Sequence, residues 1–197
     1  AVALVVVPLP IVSVLFQRGQ TSMADAQAIA LAVAIYGLGL PAFVLQKVLQ
    51  PLFFAREDTR TPFRYALWSM AVNAVLAIGL APVLGWIAPA VATTVSAWIM
   101  VAQLAWGGRR LGEVARFDDR FRRRIWRICL ASVLMGAVLW GTMWLLTPFL
   151  SVSFWRALVL ALLIGIGMLA YAVAGQVTGA FRLSEFRAAF RRKGRST

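Results

Sequence analysis

Apolar runs close to bilayer length alternate with short charged connections along almost the whole chain. A bilayer core of about 30 Å takes roughly 20 apolar residues of helix to cross, and six segments meet or approach that requirement. The first covers residues 1 to 16 and stops at Gln17-Arg18-Gly19. The second runs from 26 to 55, long enough to tilt or bend, with Gly37, Gly39 and Pro41 as flex points. The third, 63 to 84, and the fourth, 87 to 107, are joined by the tight turn GWIAP. The fifth spans 128 to 147 and the sixth 157 to 181. The pattern predicts an all-α polytopic membrane protein with six transmembrane helices.

Start signals agree with these boundaries. Ser22-Met23-Ala24-Asp25 places a capping residue three positions before an acid, as a helix start requires. Thr61-Pro62 places a cap and a proline where the third span should begin.

The connections carry the charge, and they carry it unevenly. The connection after the first span has Arg18 alone, the next has Arg56, Arg60 and Arg64, and the one after the third span has no basic residue. GRRLGEVARFDDRFRRRIWR, after the fourth span, holds eight arginines. Arg156 alone follows the fifth span, and six basic residues follow the sixth. This alternation is the positive-inside pattern. It orients the first, third and fifth spans outward and the C-terminus toward the cytoplasm. Four regions result: four spans over 1–108, a basic linker over 109–127, a helix pair over 128–181 and a basic cytoplasmic tail over 182–197. In the linker, Leu111, Val114, Phe117, Phe121 and Ile125 recur at helical spacing, and Leu183, Phe186 and Phe190 do so in the tail. Both read as basic amphipathic helices along an anionic leaflet, or as charge that only enforces topology.

Composition narrows the class. The chain is 61% hydrophobic and only 14% charged, where soluble domains run near a quarter charged. The net charge of +13 sits in gaps between apolar runs and not on a folded soluble face, so nucleic acid is not the partner. One cysteine, Cys129, excludes an internal disulfide framework. There is no histidine, which removes the commonest general base and metal ligand. The chain opens as AVALVVVPLP, without Met and inside an apolar run; it reads as a C-terminal piece of a longer protein.

Polar residues at membrane depth carry the chemical information. Lys47 lies nine residues before Arg56, roughly 13 Å from that end of the helix. An ammonium at the bilayer centre costs about 2.5–3.5 kcal/mol, so it needs a partner, a wet cavity or a snorkelling path. Gln46 and Gln50 share its face and make a cavity-lining strip one reading and snorkelling the other. Ser69 and Asn73 on the third span, and Thr93, Ser96 and Gln103 on the fourth, suit interhelical hydrogen bonding or a ligand site. Ala161 with Gly165, Ala170 with Ala174 and Gly175 with Gly179 are small pairs four apart in the sixth span. Trp86, Trp126, Trp144 and Trp155 fall at interfaces. Acids occur only in connections and the tail, and Glu57-Asp58 alone is a thin metal site, so an enzyme is not expected. No phosphate-loop pattern is present.

PLPIVSVLFQRG, SMADAQ and AIYGLGLPAFVLQKVLQPLFFAREDTRTPFR together resemble the C-terminal half of the MurJ (MviN-type) lipid II flippases. These belong to the multidrug/oligosaccharidyl-lipid/polysaccharide exporter superfamily. The resemblance is strongest over residues 8 to 64 and most specific at AREDTRTP. It implies that the six spans correspond to helices nine to fourteen of a fourteen-helix transporter, with 128–181 forming a groove for a lipid tail. It implies transfer of lipid II from the cytoplasmic to the outer leaflet of the bacterial inner membrane by alternating access. The implied partners are an undecaprenyl-diphosphate-linked lipid, membrane lipids and cell-wall synthesis proteins. No cofactor is implied beyond the membrane potential and a candidate monovalent cation.

The resemblance also assigns residues. Lys47, Gln46 and Gln50 match the basic stretch of helix ten that faces the cavity. Asn73 and Thr93 fall where some relatives place a cation, although Ala77, one turn after Asn73, supplies no carboxylate. Arg56, Glu57, Asp58 and Arg60 are candidates for a cytoplasmic ion-pair latch, or else for a capped turn whose charges serve topology. Alternatives are a related exporter for another polyprenyl-linked glycan or a drug, and a structural membrane subunit.

Overall fold

The computed structural model describes residues 1–16, 22–109, 119–146 and 156–179, and every regular element among them is helical. The chain divides between residues 116 and 117 into two compact units.

In the first unit the opening apolar run is two helices, α1 (Val2–Val6) and α2 (Pro8–Phe16). Pro8 has no N–H, and its ring pushes the residue before it out of the helical region. Val7 obeys, with φ −125° and ψ 45°. The single first span expected from hydropathy is therefore interrupted. Val12 of α2 packs against Ala26 and Ala30 of α3 (Met23–Phe54), anchoring the run despite its break.

The start of α3 has the reciprocal cap that the sequence predicts. Ser22 Oγ accepts from the Asp25 N–H at 3.2 Å, and the Ser22 N–H donates to Asp25 Oδ2 at 3.1 Å. The helix is 32 residues long, about 48 Å at 1.5 Å per residue, so it crosses a bilayer only by tilting or by projecting from it. Pro41 and Pro51 both lie inside it.

A short loop leads to α4 (Arg60–Leu84), then a 3-10 turn at Gly85–Ile87, then α5 (Ala88–Arg109). Gly85 holds φ at 56°, a backbone state that glycine adopts without steric cost, so the chain reverses within three residues. Ser69 of α4 meets Ser96 of α5, and Tyr65 meets Gly107, so the two helices run antiparallel. Ile35 meets Thr94 and Phe53 meets Gly107, so α3 and α5 run in the same direction. The principal core sits on the α3–α5 seam, where Ala42, Leu49 and Phe53 pack against Ala97, Val101 and Leu104. Phe53 and Tyr65 meet edge to face at 6.5 Å, which brings α4 into the same core.

The second unit is a helix pair, α6 (Asp119–Leu146) and α7 (Arg156–Val177), packed along their lengths. The helix that carries the fifth span thus starts nine residues before the apolar run at 128. Arginine is a good helix former, so the helix continues backward through the charged segment that hydropathy excludes. The two helices meet closely at Gly167, where a Cβ would stand 3.1 Å from Leu139 Cδ2. Of the small pairs, Ala174 and Gly175 are buried, whereas Ala161 is exposed. Leu111, Val114, Phe117, Trp155 and the tail with Leu183, Phe186 and Phe190 lie outside the described residues.

Among the described residues, four continuous helical stretches are long and apolar enough to cross a membrane: Met23–Phe54, Arg60–Arg109, Arg123–Leu146 and Ala157–Val177. The turn at 85–87 folds the second of these into α4 and α5. Their outer faces are apolar and open; Val75, Ile78 and Val83 are 70%, 76% and 81% exposed. In water such faces would be costly, whereas lipid tails solvate them.

Candidate functional site

The polar strip on α3 divides between two environments. Gln46 is half-buried, and its Nε2 donates to the Ala97 carbonyl of α5 at 3.0 Å. Lys47, the next residue, is exposed, and Gln50 is half-buried one turn later. Gln46 therefore ties two helices together while Lys47 keeps its ammonium outside that seam.

Residues 55–59 close the gap between α3 and α4 through backbone bonds to the last carbonyls of α3. Phe53 O accepts from the N–H groups of Arg56 and Asp58, at 3.0 and 3.1 Å. Glu57 has φ 60°, the left-handed region that a side chain ordinarily avoids. Asp58 Oδ1 accepts from the Thr61 N–H at 3.0 Å. The side-chain cap of α4 thus comes from Asp58 and not from Thr61, and Pro62 is buried in the first turn. A carboxylate is the better acceptor for an open helix donor, so it takes the role that the Thr61-Pro62 pair suggests. Hydrogen bonds from the Thr61 side chain and N–H hold the Asp58 carboxyl below the ordinary aspartate range. Of the four latch candidates, Asp58 is engaged as a cap, while Arg56, Glu57 and Arg60 are exposed beside it.

Where α4 packs on α5, Ser69 Oγ donates to the Ser96 carbonyl at 2.7 Å in a buried position. Ser96 Oγ in turn donates to the Thr93 carbonyl at 3.0 Å. Asn73 and Thr93 are half-buried on these two packed helices, and Ala77 follows Asn73 by one turn. Gln103 Oε1 is buried with no hydrogen-bond partner among the described residues. No group of three or more His, Cys, Asp or Glu side chains suited to a metal occurs among the described residues.

Two further ties escaped the sequence reading. Thr94 Oγ1 donates to the Ile35 carbonyl at 3.0 Å, and Trp98 Nε1 to the Leu38 carbonyl at 3.1 Å. The Gly37 carbonyl, which loses its helical donor at Pro41, lies between these two acceptors.

Membrane-length helices with apolar outer faces, internal polar ties and charge concentrated at their ends define a polytopic helical membrane protein. The sequence model for the family described as "Lipid II flippase MurJ" matches residues 1–166, and the chain belongs to that family. It is 42% identical over 188 residues to the probable lipid II flippase MurJ of Rhizobium meliloti (strain 1021), covering 91% of this chain and 34% of that protein. It is 36% identical over 196 residues to the corresponding protein of Rhizobium tropici, covering 98% of this chain and 37% of that one. Among solved structures it is similar to "Lipid II flippase MurJ, inward closed conformation", with a TM-score of 0.71 and 26% identity over 89% of this chain and 34% of that one. The chain spans about a third of the length of these relatives.

Proposed function

We propose that this chain acts as the corresponding third of a lipid II flippase, moving the lipid-linked peptidoglycan precursor from the cytoplasmic to the outer leaflet of the bacterial inner membrane. Family membership over residues 1–166 is the observation that carries this reading. The arginine-rich ends face the cytoplasm in this account, and so does the C-terminus.

Lys47 supplies a cation toward the diphosphate of the head group, with Gln50 beside it as a neutral hydrogen-bonding partner. Gln46 holds α3 against α5 so that the lysine stays in register. The α6–α7 pair gives the polyprenyl tail an apolar surface. The loop at 56–60 lies at the cytoplasmic mouth, where arginines can pair and part as the helices rock. Asn73 and Thr93 offer neutral oxygen donors to a monovalent cation, with α4 and α5 moving together around them.

Direction follows from charge. A diphosphate with about two negative charges gains roughly 4–5 kcal/mol per 100 mV on moving to a positive outer face. The helices need only screen the head group from hydrocarbon, so no nucleotide chemistry is called for. Complementation tests the reading: the full-length protein should restore growth to a bacterium depleted of its own lipid II flippase. Failure to restore growth, at normal membrane levels, would point to a related exporter with another polyprenyl-linked cargo.

A further inference from the structure

In the second unit the start of α6 and the end of α7 meet at one place. Arg127 Nη1 donates to the Gly179 carbonyl at 3.4 Å. Gly179 holds φ at 67° in the turn that ends α7, and Thr178 Oγ1 donates back to the Ala174 carbonyl at 2.7 Å. A helix C-terminus leaves carbonyls open and carries partial negative charge, so a guanidinium is stabilised there. That contact fixes one arm of a planar five-donor fork and leaves the remaining donors for another acceptor.

Arg123 lies one turn before Arg127, with Trp126 between them, so the three side chains fall within an arc of about 100° on α6. Together with Ile125 they line an open groove of about 410 Å³. Residues 123–146 and 156–179 contain no Asp or Glu. The nearest acid on either helix is Asp119, one turn before Arg123 at the start of α6, and none lies beyond it toward Arg127. The lining surface is predominantly apolar, and α6 passes directly from it into a membrane-length apolar run. Trp126, 74% exposed, marks the depth as interfacial. An amphiphile with an anionic head suits this geometry better than a free anion does, because Ile125 and Trp126 favour its glycerol and first methylenes.

We propose that Arg123, Trp126 and Arg127 form a binding site for the phosphate-bearing head group of an anionic glycerophospholipid, separate from the substrate-handling residues of α3. Arg127 is the preorganised member, held by Gly179, and Arg123 is the mobile one that closes on the phosphate. Occupancy would hold the α6–α7 pair at a defined depth in the leaflet.

The test uses the full-length protein in detergent, titrated separately with dioctanoyl phosphatidylglycerol, dioctanoyl phosphatidylcholine and inorganic phosphate, with binding read by thermophoresis. Phosphatidylglycerol should bind about thirtyfold more tightly than phosphatidylcholine, as two interfacial arginines acting on one net charge imply. R123Q leaves the Gly179 contact intact and should weaken phosphatidylglycerol about fivefold, with R123K retaining most of the affinity. Helix content by circular dichroism should be unchanged. Should R123Q lose helix content, W126A replaces it, with weaker phosphatidylglycerol binding as the expected result. Equal binding of the two lipids, unaltered binding in the folded variant, or phosphate binding as tight as the lipid would each overturn the assignment.

Discussion

A Cβ placed on Gly107 of α5 would stand 2.7 Å from the Tyr65 hydroxyl and 3.1 Å from Tyr65 Cε2, with Phe53 Cζ at 3.3 Å. The tyrosine of α4 thus lies against bare backbone, and the α3–α4–α5 bundle closes at this point. Overpacking a filled contact costs about 1–3 kcal/mol. Gly107→Ala should lower thermal stability by that amount, and adding Tyr65→Phe should recover part of it by removing the nearest atom. Gly108→Ala, next in sequence and with nothing within 4 Å of its Cβ position, should be neutral or slightly stabilising through helix propensity. Unfolding in a denaturing detergent titration reads all three, and equal costs at 107 and 108 would contradict the packing argument.

The Ser69–Ser96 bond makes a smaller prediction at the same seam. Hydrogen bonds between membrane helices average about 0.6 kcal/mol and reach about 1.7. Ser69→Ala should fall within that range, because the donor is lost while the Ser96 carbonyl keeps its bond within α5. A loss of several kcal/mol in the same titration would mean that the hydroxyl holds more than this one contact.

Asp58 gives a pH dependence of known sign. Its carboxyl is held below the ordinary aspartate range by the Thr61 side chain and N–H. The cap therefore stabilises the start of α4 above the unfolded aspartate value, and that contribution is lost as pH falls through the lower folded value. The protection factor of the Thr61 amide, taken against an unstructured peptide at the same pH, should fall on acidification in the wild type. Asp58→Ala should show little protection at every pH, and Asp58→Asn, which still caps, should lose the pH dependence but keep protection at neutral pH.

Glu57 separates backbone strain from function. A left-handed conformation costs a non-glycine residue about 1–2 kcal/mol, so Glu57→Gly should leave the fold unchanged or more stable. If the carboxylate serves a latch, the same variant should lose transport while Glu57→Asp keeps some. A stable and fully active Glu57→Gly would reduce residues 56–60 to a capped turn.

Lys47 carries the sharpest functional prediction. Removing a charge-assisted contact to phosphate is worth about 1.5–3 kcal/mol, or roughly tenfold or more in rate. Lys47→Ala should cut flipping by at least that factor, whereas Lys47→Arg should retain most of it. Gln46→Leu should instead show first as lost stability, because its amide bonds to the Ala97 carbonyl. Comparable flipping in Lys47→Ala and the wild type would remove the lysine from the cavity.

Local features were legible in the sequence because a few neighbouring residues determine them. The Ser22–Asp25 cap and the reversal at Gly85 belong to this group. So do the long helices, since a run of apolar side chains needs no distant partner to favour lipid. Contacts between helices were not legible: Gln46 finds Ala97 and Thr94 finds Ile35 across more than fifty residues, and only packing decides such pairs. The continuity of residues 119–127 with the fifth span was not legible for another reason. Hydropathy locates the part of a helix inside hydrocarbon, while arginines 120 to 127 extend the same helix beyond it.

The most direct measurement is made on cells of the native bacterium depleted of the full-length protein. An impermeant enzyme that cleaves the lipid II head group is added from outside, and the cleaved fraction is measured. The account predicts that cleavage falls while uncleaved lipid II accumulates, and that the wild-type protein, but not Lys47→Ala, restores it. Undiminished cleavage after depletion, in cells shown to lack a second flippase, would contradict it.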